Sequence, residues 1–162
     1  MCGIIGYTGA SDAGSIILNA LSDLEYRGYD SSGMALLSAD GKLKRYRAAG
    51  KLVNLKNVKG VTNSIGTVGI GHTRWATHGA PIESNAHPHQ DCDGKVSVVH
   101  NGIVENFSDL KTELIKDGHI FESDTDAEVI PHLIEAKMNE GIPLQKSVAL
   151  VAKSLHGSNA VV

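Results

Sequence analysis

The chain has 162 residues, of which 41% are hydrophobic, 20% charged and 4% aromatic. Those proportions exclude a disordered, collagenous or coiled-coil chain, and no apolar run approaches the ~18 residues of a membrane span. Fifteen Lys and Arg against 18 Asp and Glu leave a formal charge of −3, which speaks against a general nucleic-acid footprint.

The elements follow in chain order. Residues 2–7 read as a short buried strand. Ser11 or Asp12 can cap a helix running to about Leu24, with Ile16, Ile17, Ala20, Leu21 and Leu24 on its apolar face. Residues 26–32 are a polar loop, and 33–37 and 42–47 are strands joined by the hairpin chemistry of Asp40-Gly41. A short helix is expected over 52–58 and a strand over 67–75. Residues 76–94 read as one long loop, and 95–100 as an apolar strand running into Asn101-Gly102. A helix from about Asn106 to Lys116 stops at Gly118. Asp124 and Thr125 are expected to cap another helix reaching Met138. A last helix ends near Leu155, and Ala160-Val161-Val162 begin a strand. Helices interleaved with hairpins give an α+β or layered arrangement in one domain.

Cys2 and Cys92 are too few for a disulfide scaffold, and the N-terminus lacks the basic and apolar regions of a secretory signal. A reducing, cytoplasmic compartment is the simplest expectation. Cys2 is either a small core residue or something more particular. If Met1 is removed, its thiol and α-amine share one Cα. An α-amine titrates near ~7.7–8.0 and can act as a base toward its own side chain.

Three constellations could carry chemistry. His72, His78, His87, His89 and His100 share one stretch with Cys92, but the spacing matches no strong zinc pattern. Gly66, Gly69 and Gly71 lie in a strand pattern, where glycines mark close backbone approach rather than a phosphate loop. The third is a polar set spread along the chain: Cys2, Arg27-Gly28, Arg74 to Gly79, Asn101-Gly102 and Asp126. Each member alone has a structural reading. Together they contain a nucleophile, oxyanion donors, a guanidinium and a carboxylate, the set that hydrolysis of an amino-acid amide requires.

These residues carry a resemblance. Cys-Gly-Ile-Ile-Gly at 2–6 is similar to the start of class II glutamine amidotransferases, whose nucleophile is N-terminal. Residues 24–33, 71–79, 100–103 and 123–130 resemble the branch that transfers the nitrogen to fructose 6-phosphate. The resemblance implies a four-layer α/β/β/α sandwich, incomplete here, and glutamine hydrolysis without metal or cofactor. It makes Cys2 the nucleophile, with its α-amine as base, and gives the oxyanion hole to Asn101 and Gly102. Arg27 and Gly28 shape the nucleophile's surroundings. Arg74 and Thr77 take the glutamine carboxylate and Asp126 its ammonium. Trp75, His78 and Gly79 belong to a loop from 74 to about 81 that covers the substrate, and His87 to the pocket. The sugar-phosphate isomerase half that would use fructose 6-phosphate is expected to lie outside these residues, in a longer and conceivably homo-oligomeric enzyme. Two alternatives stay open: a silent fragment or binding module of the same fold, and another class II enzyme such as an amidophosphoribosyltransferase.

Overall fold

A computed structural model describes residues 2–76 and 79–162; the calls on Met1, Thr77 and His78 lie outside the described residues. Strands β1 (Gly3–Thr8), β2 (Ser31–Leu37), β3 (Leu43–Ala49) and β4 (Val68–Arg74) form one antiparallel sheet in the order β1-β4-β2-β3. Helices α1 (Ala13–Leu24) and α2 (Leu52–Lys56) cover one face of it. Ile17, Leu21, Leu36, Leu52 and Leu55 form the core between them.

The second sheet layer consists of two two-stranded ladders made by β5 (His89–Gln90), β6 (Ser97–Val98), β7 (His100–Gly102) and β8 (Asn159–Val161). β5 pairs with β6 and β7 with β8. Val99 exchanges two backbone hydrogen bonds with Val162, so residues 97–102 run as nearly one strand between two partners. Helices α3 (Phe107–Lys116), α4 (Val129–Asn139) and α5 (Leu144–Ser154) close this side around Val98, Val104, Val129, Ile130, Ile134 and Val151. The result is the expected helix–sheet–sheet–helix layering. Among the described residues no helix is long and apolar enough to cross a membrane.

Local chemistry accounts for most element boundaries. The Asp12 carboxylate accepts the Gly14 and Ser15 N–H groups and starts α1. Gly41 turns the β2–β3 hairpin with φ +78°.

Three expectations change. The buried stripe of α1 is Ala13, Gly14, Ile17, Leu18 and Leu21; it keeps Ile17 and Leu21 of the expected face and replaces Ile16, Ala20 and Leu24, which are only partly buried. The supposed loop 76–94 contains a 3₁₀ turn, Glu83–Asn85, and strand β5, which gains its partner only when β6 arrives. Asp124 and Thr125 do not cap α4. A 3₁₀ turn, Asp126–Glu128, precedes that helix, and no side chain caps it. Its acids serve neighbouring loops instead. Glu128 accepts the Glu122 and Ser123 N–H groups and the Ser123 hydroxyl, while Asp126 accepts Val104 N–H.

Candidate active site

Cys2 enters β1 at the seam between the two sheets. The Trp75 N–H donates to its Sγ at 3.2 Å. The Asn101 amide nitrogen donates to the Cys2 carbonyl at 3.2 Å. The residue after β4 supplies the first contact and β7 the second, so two sheets converge on one cysteine. A small cavity there is lined by Cys2, Arg74, Asn101, Gly102 and Asp126, together with histidines and Thr125. The polar set that is scattered in sequence is thus contiguous in space.

The orientation of Asn101 has a cause. His72 Nε2 lies 2.9 Å from Asn101 Oδ1 and 3.1 Å from the His100 carbonyl oxygen. Two acceptors at one nitrogen place the hydrogen on Nε2, so Asn101 presents its oxygen to His72 and its NH₂ to Cys2. Burial pushes the His72 pKa down to about 4, keeping the ring neutral. His87 stacks on it with ring centres 4.2 Å apart. Burial also holds His87 well below the ordinary histidine range, and its Nδ1 accepts the His100 N–H at 3.2 Å. His89 continues the row, 4.5 Å from His87, with Nε2 2.9 Å from the Thr125 hydroxyl. Of the histidines that suggested a metal in the sequence, His72, His87 and His89 form this stack, His100 joins it through its backbone N–H, and His78 lies outside the described residues.

Arg74 is buried and donates to the Ala80 and Gly79 carbonyls at 3.1 and 3.2 Å. Burial lowers its pKa, opposed by the charges of Cys2, Asp30 and Asp126. Asn85, fully buried, fastens the same loop by donating to the Ala80 carbonyl, and its Oδ1 accepts the Asp124 N–H. Gly79 has φ +78°, and a Cβ there would stand 2.7 Å from Asn85 Nδ2.

Arg27 and Gly28 do not line the cavity. Gly28 lies behind it, where a Cβ would stand 2.6 Å from the Arg74 carbonyl carbon and 2.9 Å from Trp75 N. Its bare Cα lets the 28–30 segment support the peptide that touches Cys2. Asp30 completes that support: its N–H donates to the Arg74 carbonyl and its carboxylate accepts Ala76 N–H. Trp75 enters through its backbone; its indole is exposed and meets Tyr29 edge-on. Sequence reasoning missed His72, Asn85 and Thr125 as site builders. For His72 a signal existed: it alternates with Arg74 on the face of β4 opposite Gly69 and Gly71.

Comparison with known proteins places this geometry. The Glutamine amidotransferase domain family matches residues 57–145, more than half of the chain. The isomerizing glutamine–fructose-6-phosphate aminotransferase of Gluconobacter oxydans is 50% identical over 99% of this chain, and that of Pyrococcus horikoshii 51% over 100%. The chain spans only 26% and 27% of those relatives' lengths. Among solved structures, glutamine phosphoribosylpyrophosphate amidotransferase from B. subtilis, complexed with ADP and GMP, superimposes with a TM-score of 0.83 at 26% identity, covering 99% of this chain and 34% of that one. A cysteine held between two sheets, in a chain so similar to amidotransferases, leads to one conclusion: the chain belongs to the glutamine amidotransferase domain family.

Proposed function

We propose that these residues hydrolyse the side-chain amide of glutamine to glutamate and ammonia, with Cys2 as nucleophile. One observation carries the reading. The Cys2 sulfur, the Asn101 amide donor, a buried guanidinium and a buried carboxylate meet in one cavity. The sulfur attacks the carboxamide carbon, and the oxyanion is taken by Asn101 Nδ2 and the Gly102 N–H. Each such donor is worth ~2.7–4 kcal/mol. The Cys2 α-amine, free once Met1 is removed, takes the thiol proton and returns it to the departing ammonia. Water then cleaves the thioester. Arg74, with Thr77, binds the substrate carboxylate and Asp126 its ammonium. Trp75, His78, Gly79 and His87 complete the surroundings.

In the longer protein the ammonia aminates fructose 6-phosphate; about 50% identity to aminotransferases named for that sugar supports this. Residues 1–162 are then part of the glutaminase domain. An apolar groove of about 1140 Å³, lined by Leu43, Val96, Val98, Leu144, Val148 and Val161, supports a continuation that packs against it.

The test is glutamate release from glutamine by the full-length protein, with intact mass establishing loss of Met1. Cys2→Ala should abolish release. Undiminished release by that variant overturns the nucleophile assignment. Glutamine-dependent formation of glucosamine 6-phosphate, lost in the same variant, tests the sugar.

A further inference from the structure

Away from Cys2, four potential ligand atoms converge where three segments meet. Cys92 stands in the turn between β5 and β6, His119 follows the end of α3, and His132 and Glu135 lie three residues apart on α4. Cys92 Sγ is 3.7 Å from His119 Nδ1 and 3.6 Å from His132 Nδ1, and the two nitrogens are 3.3 Å apart. Glu135 Oε2 is 2.9 Å from His119 Nδ1 and 3.4 Å from His132 Nδ1. All four ligand atoms lie within 4.8 Å of one another. None of the four residues lines the cavity at Cys2.

Hydrogen bonding alone does not explain the cluster. A thiol and two imidazole Nδ1 atoms carry at most one hydrogen each, fewer than the close approaches they make. A cation at the centre satisfies all four at once. Zinc bonds of ~2.0–2.1 Å to nitrogen and ~2.3 Å to sulfur imply tetrahedral edges of roughly 3.3–3.4 Å between nitrogens and about 3.6 Å from sulfur to nitrogen. The nitrogen–nitrogen and sulfur–nitrogen separations of 3.3, 3.6 and 3.7 Å match those edges. The 2.9 Å approach of Glu135 to His119 must lengthen, and the sulfur–carboxylate separation lies within 4.8 Å. The surroundings also fit. Ligation through Nδ1 leaves the His132 hydrogen on Nε2, which is buried without a hydrogen-bond partner among the described residues and faces Glu128 at 3.9 Å. A carboxylate behind a ligating histidine is the usual outer partner. Cys92 is exposed and gives the ion a way in, while His132 and Glu135 are buried.

We propose that Cys92, His119, His132 and Glu135 bind one zinc-class divalent ion in a closed, structural site. One thiolate and two imidazoles select a borderline-soft cation over magnesium or calcium. On ligation the Cys92 thiol releases its proton to solvent. The ion ties the β5–β6 turn to α4 and to the segment after α3, so it stabilises the second layer pair without entering the chemistry at Cys2. The proposal departs from the expectation of no metal and shares only Cys92 with the histidine stretch that first raised the question.

The test uses the full-length protein, purified without a histidine tag, dialysed against chelator and reloaded with zinc or cobalt(II). Expected are one zinc per chain by elemental analysis, a rise in Tm on loading, and the visible bands of tetrahedral cobalt(II) with a thiolate-to-cobalt charge-transfer band. Cys92→Ser and His132→Gln should each remove that band and weaken zinc binding at least ~10-fold, while Cys2→Ala keeps both. Circular dichroism identifies any variant that fails to fold; the cobalt spectrum of the unmutated protein then decides alone. Absence of stoichiometric metal under excess zinc, a cobalt spectrum without thiolate character, or unchanged binding in a folded Cys92→Ser variant overturns the proposal.

Discussion

His72 shows how one side chain can orient another at the cavity beside Cys2. Its neutral ring fixes the Asn101 amide, and Asn101 directs its NH₂ toward Cys2. Asn101→Ala should lower kcat for glutamine hydrolysis about 10²–10³-fold with little change in KM, as loss of an oxyanion donor does. His72→Phe keeps a ring of similar bulk but removes the donor, and should lower kcat by a smaller factor. Both act through the same amide, so His72→Phe should have little further effect on kcat in the Asn101→Ala background. Steady-state kinetics of the two single variants and the double variant check this. Additive losses would mean that His72 acts by another route.

Strand β4 is the element on which site and core are divided. Its side chains alternate between faces. His72 and Arg74 point to the seam between the sheets, while Gly69 and Gly71 leave room for α1. A Cβ on Gly71 would stand 2.5 Å from Ile17 Cγ2 and 3.2 Å from Leu21 Cδ1. Both contacts belong to the fully buried stripe of α1, which cannot withdraw without opening the first core. Gly71→Ala should therefore destabilise the fold by ~1–3 kcal/mol, the usual effect of overpacking. Urea denaturation measures it, and an unchanged midpoint would show that α1 shifts freely. The strand glycines were legible in sequence as sites of close approach. Which neighbour approaches was not, because only the packing of α1 onto the sheet sets Ile17 and Leu21 against β4.

At the scale of the whole molecule, the row of buried neutral histidines couples stability to pH. Burial lowers His72 from 6.5 to about 4 and His89 to about 3, and His87 is lowered as well. The unfolded chain takes these protons near the ordinary histidine pKa of about 6.5, and the folded chain refuses them. Stability is thus fully present above about 6.5 and is lost as pH falls toward 4. At about 1.4 kcal/mol per unit, His72 alone contributes on the order of 3 kcal/mol. Urea midpoints should fall steadily between pH 7 and pH 5, and His72→Phe should flatten that dependence. A slope identical in the two proteins would exclude His72 from it.

The sequence by itself determined the family chemistry and most of the elements. Cys2 at the start, Asn101-Gly102 after an apolar run and Asp12 before α1 are local signals, readable because turns, caps and short family motifs each span a few residues. The tertiary structure alone decided what each of the described histidines other than His156 touches. His72 and Asn101 are 29 positions apart and meet because β4 and β7 face each other across two sheets. Cys92 belonged to the wrong group in sequence, among His87 and His89. The hairpin turn carries it to His119 and His132, which lie 27 and 40 positions on. Sequence spacing records ligands within one helical turn, as for His132 and Glu135, but not those assembled by the packing of separate layers.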